Sequence, residues 1–334
     1  MLHRGLHRKV FTTMVSNRIK ADARAHMAKN PGTRYQEALR AVAVAPTSAD
    51  TELLAARAEI DAIIGQDAVK KQLHLFSTPG APKPPHLVFS GGSGTGKTRT
   101  AHILARALCA AGVVDEPTVV HVGRAQLVGV VEGETSRKTS AAFDSARGGV
   151  LLIDAAHDLV QDRGVHSDPF GSEALDTLAE KMRDEAGDVV VVFAGYGEPL
   201  RRILGQNLRF AGMVGQILEF TSLTPNEMWR LLKSIAAERG QIVEDSAEAG
   251  FTQMVDSLNH SNKKGHSGLD LVGNAWFAGG VIGRAEGYRF ARLSVSAVDL
   301  ADLTNEQLLT LTAHDVTNAA RHLIHAAGLD SGVG

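Results

Sequence analysis

Five short apolar runs dominate the middle of this 334-residue chain. They are rich in β-branched side chains, and the fourth is nearly continuous valine. Apolar runs of this length predict strands buried on both faces, as in a parallel sheet covered by helices. The runs are residues 86–89, 118–122, 149–154, 188–196 and 217–220. The pattern therefore predicts an α/β domain.

Helical patterns lie on both sides of these runs. Two helices are predicted before the first run, at 51–64 and 67–76. Beyond Leu223-Thr224-Pro225 every longer segment has a helical pattern. These segments are 226–239, 246–258, 269–293 and 314–326. We therefore expect a small all-helical domain at the carboxyl end.

The first fifty residues differ from the rest. Residues 1–16 show no clear period, so we expect little structure there, and Met14 is an alternative start. Helical composition over 16–27 and 35–44, interrupted at Asn30-Pro31-Gly32, predicts a helical hairpin. The hairpin is basic, so it could bind nucleic acid or a partner protein. A solvated helical face is the favoured interpretation of this charge.

A glycine-rich loop follows the first run and carries the main chemical signal. Residues 91–98, GGSGTGKT, fit the phosphate-loop pattern G-x-x-x-x-G-K-[ST] at every fixed position. Backbone N–H groups in such a loop surround phosphate oxygens, the lysine reaches the β- and γ-phosphates, and the hydroxyl serves Mg²⁺. The predicted nucleotide-binding residues in this region are Gly91, Gly92, Ser93, Gly94, Thr95, Gly96, Lys97, Thr98 and Arg99.

A second element completes the predicted ATP and Mg²⁺ site. Asp154 ends the apolar run 149–153, so its carboxylate is expected beside the phosphate loop, where it holds the Mg²⁺ shell through water. We predict Thr98 and Asp154 as metal residues, and Lys97 and Asp154 as catalytic ones. The domains expected are a basic helical extension over 1–50, a nucleotide-binding domain over 51–223 and a helical domain over 224–334.

Composition narrows the classes of function and the cellular location that we expect. The 35 basic and 37 acidic residues give a net charge of −2, without a global signature of nucleic-acid binding. Cys109 is the only cysteine, so no intrachain disulfide can form, and the 14 histidines show no metal-ligand spacing. The paired His322 and His325 are interpreted as surface residues. No run is long enough to span a membrane and no secretory leader is evident, so a cytoplasmic protein is expected.

Together these motifs resemble the AAA+ ATPases, and specifically the CbbX/SpoVK group. That group includes red-type Rubisco activases and the carboxyl-terminal ATPase domain of the EccA proteins of type VII secretion. The likeness extends from about residue 59 to 324. Its specific pieces are IIGQDAVK at 63–70, QLVG and GETSRKT within 126–139, FGSEALDTL at 170–178, VVFAGY at 191–196 and Gly273-Asn274-Ala275. The resemblance implies a helical lid, Gly65 at the adenine pocket and a hexameric ring. It also implies Tyr196 as a third catalytic residue, in the γ-phosphate sensor position. An equally favoured interpretation of Tyr196 is a half-buried side chain at a strand end, with no sensor role.

Several family positions hold other residues here. The resemblance places the water-activating Glu at Ala155, and Asp158 is the nearest substitute carboxylate, although a solvated role suits it better. The arginine finger aligns with Met213, with Arg209 about one turn upstream. A general base contributes about 10²–10⁴ in rate, and an arginine finger about 10³–10⁵.

Two further departures concern the lid and the pore. The lid arginine aligns with Trp276, and Arg284 lies too far along the helix to replace it simply. The pore aromatic aligns with Val131, which offers less contact area to a threaded peptide.

These departures leave two main functional classes. One is an ATP-driven remodeller of a protein partner, active in a homo- or hetero-oligomeric ring with weak hydrolysis. The other is a nucleotide-gated switch or structural subunit beside an active paralogue. A nucleic-acid-associated ATPase, supported only by the basic hairpin, is less favoured. No residue selects the client protein.

Overall fold

The computed structural model describes residues 20, 24–37, 48–159, 162–163, 166–197, 200–201, 212–260, 262–263, 266–295 and 303–329. The chain forms two compact units, Met1–Ala56 and Arg57–Gly334. In the first unit, residues 24–29 and 35–37 are helical and are separated by a turn. The predicted hairpin is thus described only in part, and residues 1–16 lie outside the described residues. Within the described ranges we find no helix that combines the length and the apolar character of a membrane span.

A five-stranded parallel sheet forms the centre of the second unit. Its strands are β1 (His86–Gly91), β2 (Val119–Val122), β3 (Val150–Ile153), β4 (Val190–Gly195) and β5 (Val214–Phe220). Their spatial order is β2-β3-β4-β1-β5, with every neighbouring pair parallel. Every residue of β3 and β4 is buried. All five apolar runs therefore form strands, as predicted.

Two helices precede β1 along the chain, α1 (Ser48–Asp61) and α2 (Asp67–Phe76). Three more connect consecutive strands, α3 (Lys97–Ala110), α4 (Glu134–Ser145) and α5 (Pro169–Asp184), with shorter helical turns at Arg124–Leu127 and Ala156–Leu159. A two-residue hairpin pairs Asp162–Arg163 with His166–Ser167. Leu175, Leu178 and Met182 of α5 pack with Phe143 and Val191 in one core cluster. Crossover helices packed against a parallel sheet complete the predicted α/β sandwich.

The carboxyl-terminal part is mainly helical. Its main helices are α6 (Pro225–Glu238), α7 (Glu248–His260), α8 (Ala275–Val295) and α9 (Ala313–Ala326), with short helices at Asp245–Ala247, Gly268–Val272 and Asn305–Leu309. Thr224 caps the start of α6, and its hydroxyl oxygen accepts a hydrogen bond from the Glu227 backbone N–H. The proposed domain boundary at 223/224 lies at this cap. Phe251, Leu232 and Val281 belong to the separate core of these helices.

Two details of the helical part differ from the sequence predictions. The helix predicted over 269–293 is broken in two, because Gly273 (φ +82°) and Asn274 (φ +44°) adopt left-handed backbone angles. Glycine and asparagine tolerate that region best, which explains where the break falls. The part predicted to be all helical also holds two short strand pairs. Ile242–Val243 pairs with Thr310–Leu311, and Asn262–Lys263 pairs with His266–Ser267.

Candidate functional site

The glycine-rich loop joins the end of β1 to the start of α3. Gly94 (φ +67°) and Gly96 (φ +100°) have left-handed backbone angles that other residues adopt only with strain. The Lys97 ammonium donates to the carbonyl oxygens of Gly91 (2.8 Å) and Gly92 (2.6 Å). Burial lowers the pKa of Lys97, and the nearby carboxylates of Asp154 and Asp270 oppose that shift. In phosphate loops of this kind, phosphate binds to the ammonium together with backbone N–H groups of the loop.

Asp154 lies directly after β3, at the same edge of the sheet. One carboxylate oxygen accepts from the Ala155 backbone N–H at 2.9 Å, and the other lies 3.2 Å from His121 Nε2. His121 belongs to β2, the neighbouring strand. The next residue, Ala155, has φ +48°, an unusual value for a residue with a Cβ.

A cavity of about 920 Å³ connects the phosphate loop, this edge of the sheet and the helical part. Most predicted site residues line it, namely Gly91, Ser93, Gly94, Gly96, Lys97, Thr98, Arg99, Asp154 and Tyr196. Gly65, Gly92 and Thr95 are not among its lining residues. The Thr95 hydroxyl instead donates to the Gly92 carbonyl at 2.9 Å, within the loop itself.

Gly65 occupies a separate position beside the first lid helix. Its φ is +67°, and a Cβ there would lie 2.8 Å from a carboxylate oxygen of Glu227. The adjacent Gln66 side chain exchanges two hydrogen bonds with the backbone of Thr221, at 2.7 and 3.1 Å. The role of Gly65 at an adenine pocket stays a prediction.

Asn274 connects the phosphate loop to the helical part. Its fully buried amide donates to the Ser93 carbonyl (3.1 Å) and to Asp270 (3.2 Å), and it accepts from the Leu223 N–H (3.1 Å). The Ala275 N–H adds a bond to the Gly94 carbonyl at 3.1 Å. The helical part is therefore docked directly on the loop, and a Cβ on Gly94 would overlap the Gly273 carbonyl.

The positions that depart from the family pattern, and the residues considered as substitutes for them, lie in different places. Ala155 and Trp276 line the cavity, and Trp276 is 73% exposed. Asp158 does not line it. Met213 lines a different cavity, with His86 and Met182. Arg284 is exposed and outside the cavity lining. Arg209 lies outside the described residues. Val131 is 61% exposed, in the loop before α4.

Three cavity residues with titratable side chains were not predicted from the sequence. They are His121, His157 and Arg239. His157 follows Ala155 by two residues; its ring lies 4.8 Å edge-on from that of Tyr196, and its buried Nδ1 has no hydrogen-bond partner in the described structure. For His121, the only available signal was its place at the end of a predicted strand. Arg239 carried no signal.

The donors present fit a magnesium ion. Thr98 and Asp154 line the same cavity and offer hard oxygen atoms, and Mg²⁺ typically takes few protein ligands beside water and phosphate oxygens. Across the described ranges, no group of three or more His, Cys, Asp or Glu residues forms an all-protein metal site.

A parallel sheet of this order, a phosphate loop, a strand-end aspartate and a docked helical lid define a P-loop ATPase of the AAA class. Comparison with known families agrees. Residues 87–220 match the ATPase family associated with various cellular activities (AAA), and residues 224–326 match the AAA lid domain. The chain belongs to the AAA ATPase family.

The curated relatives include proteins of mycobacterial secretion systems. The chain is 34% identical over 290 residues to the ESX-1 secretion system protein EccA1 of Mycolicibacterium smegmatis, covering 83% of this chain and 50% of that protein. It is also 34% identical over 328 residues to the ESX-3 secretion system protein EccA3 of that species, covering 92% and 53%. The chain thus spans about half the length of the curated relatives it matches.

Solved structures agree on the fold. The FIGL-1 AAA domain aligns with a TM-score of 0.52 at 15% identity, over 80% of this chain and 87% of that one. The same domain in complex with ADP gives 0.51 at 16% identity, over 81% and 87%. At this identity the likeness concerns the fold alone.

Proposed function

We propose that this protein binds ATP with Mg²⁺ between the phosphate loop and the lid, and hydrolyses it weakly. Lys97 and the loop backbone hold the phosphates, while Thr98 and Asp154 hold the ion. Bound Mg²⁺ supplies charge neutralisation at the phosphates. Tyr196, at the end of β4, contacts the terminal phosphate.

One observation carries the expectation of weak hydrolysis. Asp154 is the only carboxylate among the described residues that line the cavity. A carboxylate that already serves the ion shell is a poor acceptor for a proton from water. Ala155 supplies no base, and Asp158 is not among the residues that line the cavity; its carboxylate lies 3.8 Å from His157 Nε2.

The proposed biological role is supported by the relatives. Since EccA1 and EccA3 are secretion-system proteins, we propose that this chain acts on a protein client of such a system, within an oligomeric ring and on the cytoplasmic side. A nucleotide-gated switch or structural subunit beside an active paralogue is the second candidate, and the missing base favours it. Nucleic acid is not the proposed partner.

The test is ATP binding and single-turnover hydrolysis by the wild-type chain, Lys97→Ala, Ala155→Glu and the uncharged control Ala155→Gln. We expect wild type to bind ATP and barely hydrolyse it, and Lys97→Ala to lose binding. Ala155→Glu should gain about 10²-fold or more in turnover, while Ala155→Gln should not. Rapid hydrolysis by wild type would refute weak catalysis, and absence of ATP binding would refute the site itself.

A further inference from the structure

A histidine lies beside the aspartate that follows β3. His121 belongs to β2, the edge strand of the five-stranded sheet, and it is in register with Leu152 of β3, two residues before Asp154. Its Nε2 lies 3.2 Å from one oxygen of the Asp154 carboxylate. Both side chains line the cavity. The register between the two strands therefore places an imidazole nitrogen next to a carboxylate at the proposed ion site.

The geometry of this pair suits two ligands of one ion. The other oxygen of Asp154 accepts from the Ala155 backbone N–H at 2.9 Å, which orients the carboxylate. The side chains of His121 and Asp154 are 47% and 40% exposed, so an ion from solvent reaches both. Two ligands at neighbouring corners of an octahedral shell, with bonds of about 2.1 Å, lie about 3 Å apart. The observed separation of 3.2 Å is close to that value.

The imidazole nitrogen changes which ions the pair prefers. Mg²⁺ takes carboxylate, phosphate and water oxygens as ligands, whereas imidazole is a good ligand for first-row transition-metal ions. Within the part of the chain that the structure describes, no three His, Cys, Asp or Glu side chains form a metal site on their own. The pair therefore needs further ligands, and the phosphate oxygens of ATP and water supply them in the proposed nucleotide site.

We infer that His121 is a direct ligand, beside Asp154, for a divalent transition-metal ion bound together with ATP. This inference rests on the proposed nucleotide site. Mg²⁺ occupies that site through oxygen ligands alone, so only a transition-metal ion gains affinity from the imidazole. His121 is thereby a determinant of metal selectivity, and tight binding of the transition-metal ion depends on the nucleotide.

The experiment follows Mn²⁺ on the full chain by pulsed electron paramagnetic resonance, with and without ATP. Isotopic labelling of the histidine nitrogens separates an imidazole ligand from the nitrogens of adenine. We expect a coupling between Mn²⁺ and a histidine nitrogen in the wild-type chain with ATP, and its loss in His121→Gln. In that variant the dissociation constant of Mn²⁺ with ATP bound should rise about tenfold or more, and that of Mg²⁺ by less than about twofold.

His157→Ala is the matched control, because His157 lines the same cavity but its Nδ1 is buried and its ring lies against Tyr196. It should keep the nitrogen coupling and change neither metal constant by more than about twofold. The wild-type spectrum decides the question without any variant. Absence of a histidine coupling in a wild-type chain that binds ATP and Mn²⁺ would overturn the inference, as would equal losses of Mn²⁺ and Mg²⁺ affinity in His121→Gln. If the wild-type chain does not bind ATP, the proposed nucleotide site fails, and the inference fails with it.

Discussion

Replacing Asn274 tests whether the lid is held on the phosphate loop by one side chain. Its amide makes three hydrogen bonds, to Ser93, Asp270 and Leu223, and it is fully buried. Alanine would remove all three and leave the buried Leu223 N–H without its partner. Each net hydrogen bond contributes about 1 kcal/mol, and an unsatisfied buried donor costs about 1–3 kcal/mol. At φ +44° alanine is also less favourable than asparagine. Counting two lost bonds and one unsatisfied donor, we expect Asn274→Ala to lower the free energy of unfolding by about 3–5 kcal/mol.

The assay is urea denaturation of the full chain in a Trp276→Phe background. Trp229 then reports on the lid, since it is buried in the core of the lid helices. ATP affinity should fall with stability, because the lid wall of the cavity is no longer fixed to the loop. Asn318→Ala is the control; that amide lies 2.9 Å from His314 Nε2 at the surface of α9, and its loss should cost little.

Asn274→Asp refines the interpretation. It keeps an acceptor for the Leu223 N–H but places a carboxylate against Asp270 and the Ser93 carbonyl. Its loss of stability should therefore shrink as the pH is lowered and the introduced carboxylate is protonated. A loss for Asn274→Ala smaller than about 1 kcal/mol, with ATP affinity unchanged, would refute the reasoning.

Three further predictions concern the rest of the molecule. Burial lowers the pKa of His86 to about 4, with help from the charge of Lys83. The folded state therefore binds fewer protons than the unfolded state between about pH 4 and 6.5. Acidification over that interval should lower the free energy of unfolding by on the order of 3 kcal/mol. His86→Gln should flatten this dependence of the unfolding free energy on pH. Asp315 is fully buried against Arg292 at 2.9 Å, so Asp315→Ala should destabilise by about 3–5 kcal/mol in urea titrations, and a loss under 1 kcal/mol would contradict this. Gly94→Ala should preserve the fold by circular dichroism yet weaken ATP binding, because its Cβ would displace the docked Gly273; unchanged affinity would show that the docking is unimportant.

The sequence alone determined the class of protein. The five apolar runs predicted the strands because burial on both faces leaves a continuous local pattern, and the phosphate loop and Asp154 followed from fixed spacing. The break within the predicted helix 269–293 was missed because tertiary docking on the loop, rather than local propensity, holds Asn274 in a left-handed conformation. Tertiary structure likewise separated Asp158 from the cavity although it lies only three residues after Ala155.

Only the fold decided which distant side chains share the cavity. The sheet order places β2 beside β3 and so brings His121 to Asp154, 33 positions later in the chain. The packing of α6 on α8 brings Arg239 to the lid side of the cavity, where Trp276 carries no charge. Spacing along a sequence reports neighbours within one strand or helix, whereas contacts between elements depend on how buried faces pack. For that reason the phosphate loop was predictable from its own residues, and the lid's contribution to the site was not.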